Sequence, residues 1–153
     1  MRAKVTAALI SNFNKNISNI SSVAVVGGSS HDPEVSALRA IEPDLIFHFF
    51  GIDNEFDDYN WTYLNLNTND SLSRKNKFDL VISSQVLEHV WNIDSYFQNL
   101  VALVKSGGYI FINCPASNFV HGSPEYFSAG YAPEFLKNNL NAAGILVNDS
   151  GAL

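Results

Sequence analysis

"FDLVISSQVLEHV", residues 78–90, is the stretch on which the fold turns. Leu80, Val81 and Ile82 are apolar on consecutive positions, so both faces of this strand need cover, as in a parallel sheet with a layer on each side. The strand then runs straight into Ser83, Ser84 and Gln85, and into a turn of helix that carries Glu88 and His89. In doubly wound α/β sheets the carboxyl ends of the strands, near the point where strand order reverses, form the ligand-binding rim. Residues 83–89 therefore read as rim residues.

Downstream, "DSYFQNLVALVKSGG" (94–108) has helical spacing, with Asp94 as its cap, Lys105 in its last turn and Gly107–Gly108 beyond its end. "YIFIN" (109–113) is a fifth strand, "APEFLKNNLNAAG" (132–144) a helix with Pro133 near its start, and "ILV" (145–147) a sixth strand. Upstream, Val23 to Val26 form a first strand, followed by a Gly-Gly turn. Asp32 is placed to cap the next helix and Pro33 to open it, and that helix stops before Pro43. "LIFHFFGID" (45–53) and "WTYLNLN" (61–67) are the second and third strands. "MRAKVTAALISNF" reads as a surface helix, with residues 1–21 a lead-in to one domain spanning 1–153. Strands alternating with helices make this an α/β, doubly wound chain.

Composition narrows the class of function. Of the 153 residues 46% are hydrophobic and 16% charged, as in an ordinary globular domain. The formal charge is −6 and the nine Lys and Arg are scattered, which argues against nucleic acid or an acidic membrane surface as a partner. A single cysteine, Cys114, allows no internal disulfide and fits a reducing, cytoplasmic setting. No apolar run is long enough to span a bilayer.

The residues to question are those just after each strand: Gly27–Gly28–Ser29, Asp53, Asn65 and Asn67, Ser83–Ser84–Gln85, and Cys114 onward. At these positions the chain resembles the class I S-adenosylmethionine-dependent methyltransferases. "FDLVISSQVLEHV" and "LVKSGGYIFINCP" are similar to that family's fourth strand, following helix and fifth strand, and a looser match begins at Val23. The resemblance implies a Rossmann-like sheet ordered 3-2-1-4-5-7-6, with S-adenosylmethionine lying across strands 1 and 4 and S-adenosylhomocysteine (SAH) as product. The chain ends soon after the sixth strand, so the seventh is expected to be lacking.

Residue by residue, the resemblance implies a cofactor site with one gap. The family has an acid two residues before a G-x-G-x-G loop, which helps to hold the methionine amino group. Here Val25 stands in that place and the loop reads Gly27-Gly28-Ser29-Ser30-His31. Small Gly28 and Ser29 still let the backbone approach a ligand. Asp53 matches the acid that takes the two ribose hydroxyls, a task that suits a carboxylate because it accepts two bonds at once. Asn67 falls where the family reads adenine, with Asn65 as its rival. Ser83 and Ser84 match positions that meet the cofactor largely through backbone. His121, with Tyr126 and Tyr131, lies in the loop after strand 5, the family's acceptor-facing wall, and is the candidate catalytic residue.

Some relatives, among them ubiquinone-pathway O-methyltransferases and small-RNA 2′-O-methyltransferases, bind a divalent metal on an E-x-x-E-H helix. Gln85 replaces the first acid here and is a poor Mg²⁺ ligand, so no metal is expected and Glu88 and His89 brace the rim. The expected activity is methyl transfer to a small-molecule or sugar acceptor. The rival reading is an inactive descendant that binds a ligand or a protein. Nicotinamide binding ranks third, because GGSSHD lacks the spaced glycines of that fingerprint. A missing seventh strand further implies either direct pairing of strands 5 and 6 or an open edge there, where a homodimer would form.

Overall fold

A computed structural model of the chain describes residues 2–16, 19–69, 77–121 and 125–147. The first elements are helix α1 (Arg2–Asn16), strand β1 (Ser22–Val26), helix α2 (Pro33–Ile41), and strands β2 (Ile46–Gly51) and β3 (Trp61–Tyr63). They are followed by β4 (Phe78–Ser84), a 3₁₀ turn (Leu87–His89), α3 (Ile93–Leu103), β5 (Val104–Asn113) and α4 (Pro133–Ala142). The strands form one sheet in the order β3-β2-β1-β4-β5, and every pair is parallel. Strand order reverses between β1 and β4, which opens a crevice at their carboxyl ends.

Alternation along the central strands feeds two separate cores. Val23, Val25, Leu80 and Ile82 face Leu9 and Phe13 of α1 and Val35 and Leu38 of α2. Ala24, Val26 and Val81 face Tyr96, Leu100 and Leu103 of α3, with Phe135 and Leu140 of α4 packed at the margin. The N-terminal helix is thus a packing element as well as a surface one: Val5 and Leu9 are each about as buried as the strands. Asp32 and Pro33 open α2 as expected, and the helix ends at Ile41, two residues before Pro43.

Three sequence expectations are corrected. Asn92, not Asp94, caps α3, its side chain accepting from the Ser95 N–H at 3.3 Å. The helix stops at Leu103, so Lys105 belongs to β5 and its ammonium sits 2.8 Å from the Asp79 carboxylate. Residues 105–108 form a bulge between the Phe78↔Val104 and Leu80↔Tyr109 pairs. The apolar "ILV" is no strand either: Ile145 spends its N–H on the Leu140 carbonyl, closing the end of α4, and Leu146 is 82% exposed. With neither a ladder nor burial, apolar composition alone does not make a strand.

Asp79 ties the amino-terminal edge of the sheet together. One carboxylate oxygen accepts from the N–H and hydroxyl of both Ser21 and Ser22, and the other takes Lys105. Burial opposes its ionisation, but Lys105 and the serine donors outweigh that and hold the carboxyl well below the usual range.

Candidate functional site

The β1–α2 loop is shaped by two glycines. Gly27 has φ +70°, and a Cβ there would lie 2.7 Å from a Val86 methyl. A Cβ on Gly28 would meet an Asp32 carboxylate oxygen at 2.4 Å and a Val25 methyl at 2.9 Å. Gly27 donates to the Phe50 carbonyl at 2.7 Å, which fixes the loop against the end of β2. The N–H groups of Ser29 and Ser30 are taken internally. Ser29 donates to Asp32 at 3.2 Å, and Ser30 donates to the Asp58 carboxylate at 3.1 and 3.2 Å.

A cavity of about 240 Å³ opens between this loop, residues 51–58 and the exit of β4. Gly27, Gly28 and Ser29 line it from the loop, Asp53, Phe56 and Trp61 from the β2 side, and Ser84 and Gln85 from the end of β4. Asp32, Asp53, Glu55 and Asp58 line it, and none of its lining residues is Lys or Arg. The cleft therefore carries a negative potential suited to a cationic ligand.

The expected site residues separate into two groups. Gly27, Gly28, Ser29, Asp53 and Ser84 come together at this cleft. Ser83 points the other way, as alternation along β4 requires, and its hydroxyl accepts from Tyr96 Oη at 2.9 Å in the interior. Asn67 lies outside the lining: its side-chain oxygen accepts from the N–H groups of Trp91 and Asn92 at 2.9 and 3.0 Å. Asn65 shapes the preceding turn by accepting from the Asn67 N–H at 2.9 Å. Gln85 has φ +60°, rare for a residue with a side chain, and its amide donates to the Asn113 side chain.

Beyond β4 lies a second group of polar residues. Glu88 is fully buried and neither carboxylate oxygen has a hydrogen-bond partner. Burial pushes its pKa up. The Glu88 carbonyl accepts from the N–H groups of Phe127 and Ser128, which draws residues 125–128 over it. His89 uses Nδ1 on the Glu125 carbonyl, and His121 uses Nδ1 on the Phe119 carbonyl at 2.9 Å. In the neutral imidazole each Nδ1 facing a carbonyl carries the proton, and Nε2 is then the lone-pair acceptor. The two rings sit edge to face at 5.0 Å, and Tyr126 lies 4.9 Å from His121.

Among the described residues Glu88, His89 and His121 are the group able to hold an ion, with ligand atoms within 4.8 Å of one another. One carboxylate and two imidazoles suit a transition ion better than Mg²⁺, and an ion would have to draw them inward. Cys114, half-buried nearby, has its thiol pushed up to about 11 by burial and by Glu88, which removes it as a nucleophile.

A protein-family model described as a methyltransferase domain matches residues 12–142. The chain belongs to this methyltransferase domain family. Solved methyltransferases share the fold of the domain. One from Archaeoglobus fulgidus, SAM-dependent, aligns with TM-score 0.66 at 19% identity, over 94% of this chain and 69% of its own. One from Aquifex aeolicus, also SAM-dependent, aligns with TM-score 0.63 at 11% identity, over 97% and 90%. The trans-methyltransferase CalH, solved with SAH, aligns with TM-score 0.60 at 14% identity, over 94% of this chain and 48% of its own. No curated protein matches the sequence significantly.

Sequence reasoning missed three acids of this methyltransferase domain. Asp58 reads as part of a solvated acidic run, yet it reaches back to hold the glycine loop. Asp32 caps α2 by position, and its side chain also accepts from Ser29. Glu34 is singled out by no local motif, yet it is 1% exposed and bonded to Ser84. Only the depth of the β1–α2 connection could have revealed it, and depth is not written in local sequence.

Proposed function

We propose that the cleft at the ends of β1, β2 and β4 binds S-adenosylmethionine and that the domain transfers its methyl group to a small-molecule or sugar acceptor. The observation that carries this reading is a cleft with four carboxylates and no cation, bordered by two glycines that leave no room for a Cβ. The ligand is a net cation, with a sulfonium and an ammonium against one carboxylate, and such a cleft attracts it. Phosphate-bearing dinucleotides are disfavoured there, because Asp32 and Asp58 already occupy loop N–H groups.

Asp53 accepts the two ribose hydroxyls, and the Gly27–Gly28–Ser29 backbone and Ser84 flank the methionine part. Asn67 stands outside the cleft lining with its side-chain oxygen committed to Trp91 and Asn92, so its amide N–H₂ is the group left for an adenine ring that extends beyond the cleft. Ser83 supports the rim from the interior through Tyr96.

When bound, S-adenosylmethionine supplies an electrophilic methyl group on sulfur that needs alignment more than activation. The loop after β5 forms the acceptor wall, and His121 Nε2, free to accept, takes the acceptor's proton. No step is assigned to a metal. The acidic surface favours a small acceptor over nucleic acid, and the lone Cys114 favours a cytoplasmic setting. A ligand-binding domain without turnover is the rival reading, drawn from Val25 at the acidic position. Titration with S-adenosylmethionine and with SAH, followed by thermal melting and calorimetry, tests the cofactor: both should bind and raise the melting temperature. Binding of neither overturns the proposal, and binding without methyl transfer to any acceptor in a broad small-molecule screen favours the rival.

A further inference from the structure

Glu34 is a carboxylate held out of water with half of its bonding unused. It occupies the second position of α2 and is 1% exposed. One oxygen accepts from the Ser84 hydroxyl at 3.2 Å, and the other has no hydrogen-bond partner. Buried polar atoms are nearly always paired, and an unpaired carboxylate oxygen is costly. The amino-terminal end of α2 offsets part of that cost through its dipole. It leaves the open oxygen unexplained.

Ser84 connects this acid to the cleft, since it lines the cavity directly. Its hydroxyl proton is spent on Glu34, so only its lone pairs face the ligand, and those accept hydrogen bonds. The other carboxylates of the cleft are differently used. Asp32 and Asp58 hold the loop, and Asp53 and Glu55 are exposed at its mouth. Val25, at the end of the first strand, contributes only methyl groups.

Resting on the cofactor reading above, we propose that Ser84 and Glu34 form a relay that holds the ammonium of the ligand's amino-acid part. The ammonium donates to Ser84 Oγ, Ser84 donates to Glu34, and the buried charge of Glu34 acts from behind the wall. Ser84 touches the ligand, and Glu34 is a positioning residue. The relay supplies from the helix the negative charge that the end of β1 lacks.

Two ligands separate this role from a structural one: SAH, which has the amino-acid part, and 5′-methylthioadenosine, which keeps the nucleoside and thioether and lacks it. Calorimetry on the wild type and on Glu34→Gln and Ser84→Ala is the test. Each variant should bind SAH about 10-fold or more weakly, in keeping with loss of a bond to a charged group. Each should bind 5′-methylthioadenosine within about twofold of wild type, since the nucleoside subsite is untouched. Equal losses for both ligands, or an unchanged affinity for SAH, overturn the relay while leaving the cofactor reading standing. Failure of the wild type to bind either ligand overturns both. Should Glu34→Gln not fold, Ser84→Ala decides, and its affinity for 5′-methylthioadenosine reports whether the cleft survives the loss of the hydrogen bond to Glu34.

Discussion

At the scale of single residues, Asp53 carries the most direct prediction. It is exposed at the cleft, follows β2 by two positions and accepts no hydrogen bond from the described residues that would employ it structurally. Asp53→Ala should weaken SAH binding by about 1.5–3 kcal/mol, the loss expected for bonds to a charged acceptor, with folding unchanged. Calorimetry on a variant that melts like the wild type checks it, and equal affinity removes the ribose assignment. Asp53 and the two glycines were readable because a strand end, a small-residue turn and an acid all leave local marks in sequence. Ser84 and Ser83 were readable as neighbours on a rim but not as opposites, since a strand's alternation becomes meaningful only when its faces are assigned. Asn67 shows the same limit. Its type suits base recognition, but its partners, Trp91 and Asn92, lie over twenty residues away, and only the fold joins them.

At the scale of elements, the order of helices and strands followed from apolar runs and their caps, and one error fell where two elements meet without a loop. Between α3 and β5 the run "LVKSGG" offers a helical continuation, a C-terminal glycine stop and a strand start together. Pairing of Lys105 with Asp79 decides for the strand. That pairing has a pH signature. A carboxyl whose folded pKa is depressed contributes stability that is present above its unfolded value, near 3.9, and lost as pH falls through the folded value. The melting temperature should therefore decline on acidification below about pH 4, and Asp79→Asn should flatten that decline. The same substitution should lower melting at neutral pH by about 3–8 °C, since the amide keeps only one acceptor oxygen and must set its N–H₂ against either the four serine donors or the Lys105 ammonium. An unaltered acid profile in Asp79→Asn would show that another group governs it.

The 3₁₀ turn after β4 carries the opposite sign. Burial raises the Glu88 pKa, so its contribution to stability is present below the unfolded value, about 4.3, and lost as pH rises through the folded one. Glu88→Gln keeps the shape without the charge. Its melting temperature should gain on the wild type steadily as pH increases. Alongside, Mg²⁺ or a chelator should leave SAH binding and any turnover unchanged, because Gln85 is turned onto Asn113 and adds no second carboxylate. A metal-stimulated activity that disappears in Glu88→Gln, or a wild type that outlasts the variant at alkaline pH, would mean that a cation neutralises Glu88 through His89 and His121. The grouping of those three side chains was only half readable: Glu88 and His89 are adjacent in sequence, whereas His121 arrives through the loop after β5.

At the scale of the whole molecule, the sheet has β3 at one edge and β5 at the other. The proposed cofactor cleft lies over its middle, at the ends of β1, β2 and β4, while the proposed acceptor wall follows β5, the last strand in the order. Among the described residues nothing pairs with the outer edge of β5, and residues 145–147, expected there, stand apart from the sheet. Edges are usually blunted by charge, proline or a bulge. Here Lys105 and the 105–108 bulge guard the beginning of the strand, whereas "YIFIN" beyond them has neither charge nor proline. Ile110, Phe111 and Ile112 are all half-buried, so that among the described residues the edge offers apolar cover to a second chain. A homodimer joined along β5 is the expected state in solution. It would bring a partner wall next to His121 and Tyr126, where the acceptor is proposed to sit. Light scattering over a dilution series should give a dimer that dissociates on dilution, and a lysine at Phe111 should shift it to monomer. A strictly monomeric, non-aggregating protein across that series would mean that the edge is covered within the chain itself.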